Sequence, residues 1–321
     1  MPVIETSGLT RTYGDRAVVD SVDLEVDAGR VHALLGPNGS GKTTTVRMLA
    51  TLLRPSAGSA RVAGYDTVRA AREVKRRIGL AGQFHAVDPR LTGAENLTMF
   101  GRLNGLAARR ARDHARELLE RFDLTAAADR PAREYSGGMR RRLDIVAAMV
   151  VRPAVLFLDE PTTALDPRSR NQIYGCIAEF VAEGTAVLLT TQYLEEAARL
   201  AATVTILDAG RVVAAGTPRD LTAEIGGGLD IVADPRRGDD ITTVLADFGG
   251  TPAAHAAHAA DSDTPDTATL SYSFPQADIP LLPILRALDT AGIDVHDIGR
   301  RRGTLDDAFL ALTGPTPRTT R

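Results

Sequence analysis

The sequence predicts an α/β domain built on a mainly parallel sheet, followed by a small α+β domain. Three observations carry that reading. From residue 1 to about residue 225, short apolar runs alternate with helical patterns. One run leads straight into a glycine-rich stretch, Gly36-Pro37-Asn38-Gly39-Ser40-Gly41-Lys42-Thr43, that opens a helix. Around Gly226-Gly227-Gly228 the texture changes, which places a linker there and divides the chain into residues 1–225 and 226–321.

Composition narrows the class. At 44% hydrophobic and 25% charged residues the chain matches globular averages, which excludes collagen-like, disordered and disulfide-framework proteins. A net charge of −3 gives no bulk-charge basis for nucleic-acid binding, and no nucleic acid is expected as a partner. Cys176 stands alone, so no intramolecular disulfide is expected. Met1-Pro2-Val3-Ile4-Glu5 lacks the basic and apolar regions of a secretory leader. The longest apolar runs, such as Ile145 to Val151, fall far short of the roughly 18 residues of a membrane span. The chain reads as soluble and cytoplasmic.

Val18 to Val26 alternates, with Val22, Leu24 and Val26 on one side, as a half-buried strand does. Val31 to Leu35, Ile78 to Ala81, Val155 to Leu158, Ala186 to Leu189 and Val204 to Leu207 are short apolar or β-branched runs, expected as buried parallel strands. A long helical stretch from Leu91 to Val151 interrupts them. Within it Ala111, Ala115, Leu118, Leu119 and Phe122 recur at helical spacing. Beyond the linker come a strand (Leu229 to Ala233), a helix (Ile241 to Phe248) and an Ala/His/Asp/Thr-rich loop to about Thr267. A strand (Leu270 to Phe274), a helix (Ile279 to Ala291), a strand near Val295 and a short helix (Leu305 to Leu312) complete a ferredoxin-like order.

The stretch from Gly36 to Thr43 matches the P-loop pattern in full and sits between a strand and a helix, as that pattern requires. Glycines let successive N–H groups converge on phosphate oxygens, and the helix N-terminus adds partial positive charge. Lys42 is one of only two lysines in the chain, so its place in this loop by chance is improbable. It is expected to neutralise the β- and γ-phosphates, and the Thr43 hydroxyl to hold Mg²⁺. Val155 to Leu158 ends in Asp159-Glu160. Two carboxylates at the end of a buried strand need partners. If that strand lies beside the P-loop strand, Asp159 falls next to the metal and Glu160 next to the γ-phosphate, where it can take a proton from the attacking water. Gln83 and Gln192 follow strands in the same way, and in open α/β sheets ligands bind outside the strands' carboxyl ends.

Tyr135-Ser136-Gly137-Gly138-Met139-Arg140 resembles the signature motif of ATP-binding cassette (ABC) ATPases. Together with the P-loop, Asp159-Glu160 and Pro161-Thr162-Thr163-Ala164-Leu165-Asp166, this likeness covers about residues 3 to 225. Ser136-Gly137-Gly138-Met139-Arg140-Arg141-Arg142-Leu143-Asp144, Leu189-Thr190-Thr191-Gln192-Tyr193-Leu194-Glu195-Glu196-Ala197 and the stretch from Leu305 to Gly314 resemble the daunorubicin-resistance drug-export ATPases. The resemblance implies a P-loop NTPase of ABC type with a helical subdomain at about residues 91–151. It implies a Mg·ATP-hydrolysing exporter subunit working with a separate polytopic permease at the cytoplasmic face of the membrane. Tyr13, in Arg11-Thr12-Tyr13-Gly14, matches the aromatic that stacks on adenine, although a strand-face tyrosine is a competing reading. The nucleotide-binding set runs from Gly36 through Thr43 to Thr44 and includes Gln83, which would also touch Mg²⁺. Ser136, Gly137 and Gly138 would bind the γ-phosphate of ATP held by a second copy, in a head-to-tail dimer with Asp166 at its seam.

Arg140-Arg141-Arg142 invites a nucleic-acid reading, but three consecutive helical residues cannot share one face, and one arginine is expected to pair with an acidic group. His255 and His258, in an Ala-rich loop without a third ligand, are not read as a metal site. Two departures from the family pattern stand out. Ala164 replaces the group's usual glycine. Gln192 stands where most ABC ATPases have histidine, as it does in the daunorubicin-resistance group. An amide can donate to the γ-phosphate but cannot become cationic, so slower turnover is expected. A soluble ABC ATPase acting on ribosomes or nucleic acid is the rival reading, as is export of a lipid or glycolipid. The former usually carries two cassettes or a long coiled-coil insertion, and neither is seen here.

Overall fold

In the computed structural model the alternation of β2 (Arg16–Asp27) buries Val22, Leu24 and Val26, and the strand pairs antiparallel with β1 (Pro2–Tyr13). The structure describes residues 2–83, 86–223, 227–253, 267–275, 279–302 and 309, and it divides into two units, Met1–Thr217 and Pro218–Arg321.

The first unit continues with β3 (Val31–Leu35), α1 (Lys42–Leu49), β4 (Ala57–Val62), β5 (Tyr65–Asp66), α2 (Ala71–Lys75) and β6 (Ile78–Ala81). Helices α3 (Gly93–Leu103), α4 (Ala108–Arg121) and α5 (Gly137–Ala148) follow, then β7 (Val155–Asp159), α6 (Pro167–Ala182), β8 (Ala186–Thr191), α7 (Leu194–Leu200), β9 (Thr203–Asp208) and β10 (Arg211–Gly216). Among the described residues the strands form an antiparallel sheet, β2-β1-β4-β5, and a second sheet, β10-β9-β3-β8-β7-β6, parallel except for the β9–β10 pair. Val31 to Leu35, Val155 to Asp159 and Ala186 to Thr191 are buried along their whole length, the pattern of strands covered on both faces. Ile4, Leu24, Leu34, Met48, Leu49, Phe157 and Leu188 share one core cluster, which joins both sheets to α1.

The sheet order corrects one expectation. β7 does not lie beside the P-loop strand β3, because β8 runs between them. The placement of Asp159 near the P-loop therefore depends on the Thr190 strand end as well.

In the second unit α8 (Pro218–Ala223) precedes β11 (Gly227–Ala233), α9 (Gly238–Ala246), β12 (Thr251–Pro252), β13 (Ala268–Phe274), α10 (Leu281–Thr290) and β14 (Val295–Arg302). The sheet order β12-β13-β11-β14 with antiparallel neighbours is the ferredoxin-like arrangement. Leu229, Ile231, Ile241, Leu245, Phe274, Ile284 and Leu288 form its core. The two units part between Thr217 and Pro218, earlier than the glycine run suggested. Gly227 and Gly228 belong to β11, where they pair with Phe274 and Ser273; a Cβ at Gly228 would come within 3.0–3.2 Å of the Arg301 side chain. Gly226, His255 and His258 lie outside the described residues, as does the expected helix from Leu305 to Leu312 apart from Phe309.

Candidate functional site

Three parallel strands, β3, β8 and β7, stand side by side, and their carboxyl ends carry the P-loop, Gln192 and Asp159-Glu160. β6, next to β7, delivers Gln83 to the same edge. The four strand ends expected to converge are therefore neighbours in one sheet.

The P-loop is shaped by close approaches that only glycine permits. A Cβ at Gly36 would overlap the Leu207 carbonyl, and one at Gly41, where φ is 102°, would overlap that of Val18. Gly41 is also the N-cap of α1 and offers no side-chain cap, so the first N–H groups of the helix have no side-chain acceptor from that position. Lys42 is buried, and its ammonium donates to the Gly36 and Pro37 carbonyls at 2.7 and 2.9 Å. Burial pulls its pKa below the usual lysine value, opposed by the charges of Glu160 and Asp159. The buried Ser40 hydroxyl finds no protein partner among the described residues, a donor a bound phosphate could satisfy. Pro37, Asn38 and Gly39 are exposed at the loop crest, and Thr44 is half-buried on the first turn of α1.

Thr43 Oγ1 donates to Asp159 Oδ1 at 3.0 Å. The same carboxylate oxygen accepts from Thr190 Oγ1 at 2.6 Å, and the Thr190 hydroxyl in turn accepts from the Glu160 N–H at 3.0 Å. Hard oxygen donors from a hydroxyl and a carboxylate are the set that suits Mg²⁺. Glu160 is half-buried with φ 49°. Left-handed backbone at a residue other than glycine costs about 1–3 kcal/mol and persists only where the surroundings over-determine it. Its carboxylate accepts from Thr163 Oγ1 at 3.3 Å.

Gln83, Gly137, Arg141, Glu160 and the turn from Thr163 to Leu165 line one cleft of about 410 Å³. Gln192 is half-buried just past β8. Ser136 is the exposed N-cap of α5 and accepts from the Met139 N–H at 3.2 Å. Gly137 is exposed, whereas Gly138 is buried against Ser169, which a side chain at that position would strike. Ser169 also donates its hydroxyl and its N–H to Asp166, the N-cap of α6; those bonds hold the Asp166 carboxyl below the usual carboxylate range. The 136–138 turn and Asp166 thus meet through Ser169. Tyr13 is 51% exposed at the end of β1, with the Arg11 guanidinium 4.6 Å from its ring centre. Its strand pairs with β2, and β2 touches the P-loop where Val18 meets Gly41.

Three residues were not picked out as site residues in the sequence. Thr190 bridges Asp159 and Glu160, as described. Glu196, buried, accepts from Thr162 Oγ1 at 2.8 Å, and burial raises its pKa above the usual glutamate value. Arg141, also buried, reaches three backbone carbonyls around the cleft. The arginine run was expected to form an ion pair, and Arg141 does so with Asp144 at 3.3 Å. All three arginines also donate to main-chain carbonyls, Arg140 to Ala132 and Arg142 to Phe122; Arg141 and Arg142 are buried, and Arg140 is half-buried.

Residues 19–163 match the family model described as ABC transporter. Over 313 residues the chain is 50% identical to the daunorubicin resistance ATP-binding protein DrrA3 of Streptomyces coeruleorubidus, spanning 97% of this chain and 96% of that protein. Over 312 residues it is 45% identical to the doxorubicin resistance ATP-binding protein DrrA of Mycobacterium tuberculosis, spanning 97% and 93%. A solved structure of the ATP-binding subunit of an ABC transporter superposes with a TM-score of 0.62 at 29% identity, covering 68% of this chain and 91% of that one.

Proposed function

Because this chain belongs to the ABC transporter ATP-binding proteins of the daunorubicin-resistance type, we propose that it hydrolyses ATP to drive export of a hydrophobic drug or antibiotic through a separate membrane permease. The observation that carries this reading is the meeting of Thr43 and Asp159 beside the buried Lys42, in a chain whose near-full-length relatives bear drug-resistance names. Nucleotide binding is assigned to residues 1–225, with the helical subdomain at about 91–151, and an accessory role to 226–321.

The backbone N–H groups between Gly36 and Thr44, Pro37 excepted, cradle the phosphates, and Lys42 neutralises them. Tyr13 stacks on the adenine. Glu160 accepts the proton of the water that attacks the γ-phosphorus, and Gln192 donates to that phosphate. Thr43 and Gln83 would hold Mg²⁺, with Asp159 ordering its water shell; when bound, the ion offsets the charge that develops on the phosphate oxygens. One P-loop and one Ser136-Gly137-Gly138 turn per chain fit a head-to-tail dimer with two-fold symmetry. In it each turn presents its N–H groups to the nucleotide of the other copy, and Asp166 lies at the seam. Gln83 then relays closure of the dimer to the permease. Among the described residues no helix is long and apolar enough to cross a membrane; the peripheral place at the cytoplasmic face is part of the exporter reading.

The test is to tag the chain in its native host, extract membranes gently and identify what co-purifies. A polytopic membrane protein supports the exporter reading. Ribosomal or DNA-bound partners, with no membrane protein, overturn it in favour of the soluble ABC ATPase.

A further inference from the structure

Arg141 sits on the second turn of α5 and is 5% exposed. Its nitrogens diverge onto three separate segments. Nε donates to the Pro161 carbonyl at 3.0 Å and Nη2 to the Asp159 carbonyl at 3.0 Å. Nη1 donates to the Gly82 carbonyl at 2.5 Å and faces Asp144 Oδ2 at 3.3 Å. The other oxygen of Asp144 accepts from the Ala86 N–H at 2.7 Å. The ion pair therefore grips both ends of the segment that carries Gln83, at Gly82 and at Ala86.

The same guanidinium accounts for the backbone at Glu160. Asp159 and Pro161 flank that residue, and both of their carbonyls point to Arg141. Glu160 itself holds a left-handed conformation, which needs such bracing to persist. The Thr190 hydroxyl holds the Glu160 N–H, and Arg141 holds the carbonyls on either side; its guanidinium offers five N–H donors in a rigid fork, whereas an ammonium is a single point with three. The hydrogen bonds of Arg141 go to main-chain carbonyls and to Asp144, so it acts through these neighbours.

We propose that Arg141, held by Asp144, is a positioning residue that fixes Glu160 and the Gln83 segment in one geometry, so that a displacement at Gln83 is felt as a change in how Glu160 aims its carboxylate. The proposal rests on the roles given above to Glu160 and Gln83. It makes the ion pair the mechanical tie between the residue that takes the proton and the segment that relays closure.

The experiment uses the full chain with Mg·ATP and compares Arg141→Lys and Asp144→Asn with wild type. Turnover and ATP affinity are measured separately, the latter with a fluorescent ATP analogue. Arg141→Lys is expected to lower kcat at least tenfold while the nucleotide Kd stays within about twofold. Asp144→Asn, which keeps an acceptor for Ala86, is expected to lower kcat by less. Gln83→Ala should change kcat in the wild-type background and have little further effect on Arg141→Lys, as coupling through one brace requires. If either variant melts at lower temperature yet turns over within twofold of wild type, Arg141 is scaffold only and the proposal fails. Should Arg141→Lys not fold, Asp144→Asn and its cycle with Gln83→Ala decide the matter alone. Glu160→Gln is run alongside. Hydrolysis surviving in that variant removes the base assignment and the brace with it, whereas a dead Glu160→Gln beside a fully active Arg141→Lys removes the brace alone.

Discussion

Thr43 and Asp159 are 116 residues apart in sequence and 3.0 Å apart in space, hydroxyl to carboxylate. The bond links the first turn of α1 to the end of β7, two strands away from the P-loop strand in the sheet. Asp159→Asn keeps the size and one acceptor but removes the charge. ATPase activity of this variant should require a higher Mg²⁺ concentration for half-maximal rate, by about tenfold. A magnesium titration of steady-state hydrolysis reads this out, and an unshifted midpoint would place the metal elsewhere.

Lys42→Ala removes a buried ammonium from beside Glu160 and Asp159. A charge-assisted hydrogen bond contributes about 1.5–3 kcal/mol, so nucleotide affinity should fall about 10- to 100-fold. Equilibrium binding of a fluorescent ATP analogue measures it. Retained affinity would remove Lys42 from the phosphate site.

Thr190→Val deletes the hydroxyl that donates to Asp159 and accepts from the Glu160 N–H; Asp159 keeps its bond from Thr43 and the Glu160 N–H keeps the Thr190 carbonyl at 3.2 Å. Stability should drop by about 0.5–1.5 kcal/mol in urea melts, the net worth of a hydrogen bond, and turnover should fall with ATP affinity nearly unchanged. Unaltered turnover would show that Thr190 supports the fold without holding Glu160.

Gln192→His supplies a side chain that can become cationic next to the developing negative charge. Faster hydrolysis is expected, by roughly the tenfold that one to two kcal/mol of transition-state stabilisation represents. A lower rate in the same assay would mean that the amide is better suited to this site than the imidazole.

His32 is buried between Thr203 and Thr205, hydrogen-bonded to both hydroxyls, and burial pushes its pKa down to about 4. The unfolded chain takes up this proton near pH 6.5, and the folded chain only near 4. Stability is therefore full above about pH 6.5 and is lost as pH falls towards 4. Between pH 7 and pH 5 the loss from this one residue should be about 2 kcal/mol. His32→Gln, which cannot take the proton, should flatten that part of the urea-melt profile. An unchanged slope would assign the acid sensitivity to other groups.

The P-loop, the strand that precedes it and the carboxylate pair were legible because their chemistry is written in consecutive residues. Gly36, Gly41, Lys42 and Thr43 need only a strand, a turn and a helix to take up their roles. The ferredoxin-like order after residue 226 was legible for a similar reason, as period-two and helical runs alternate with short breaks. What could not be read was which strand neighbours which. β8 intervenes between β3 and β7, and Thr190, at its end, is recognisable as a bridge only once that order is known. Arg141 was hidden differently. Its three acceptors are main-chain carbonyls, which leave no mark in side-chain identity, and the arginine run announced only one ion pair, with no sign of which residue makes it. Glycine signals both loops and strands, so the sequence could not show that Gly227 and Gly228 pair with Phe274 and Ser273 in β11.

Two copies of this chain are proposed to close on Mg·ATP and to reopen when Glu160 takes a proton from the attacking water. Glu160→Gln keeps the shape of the side chain and removes the base. Sedimentation of this variant with and without Mg·ATP, together with its hydrolysis rate, decides between closure and its absence. The expected result is a dimer that forms with ATP, persists and hydrolyses at least a hundredfold more slowly than wild type. A variant that stays monomeric at saturating ATP, or turns over at the wild-type rate, would contradict it.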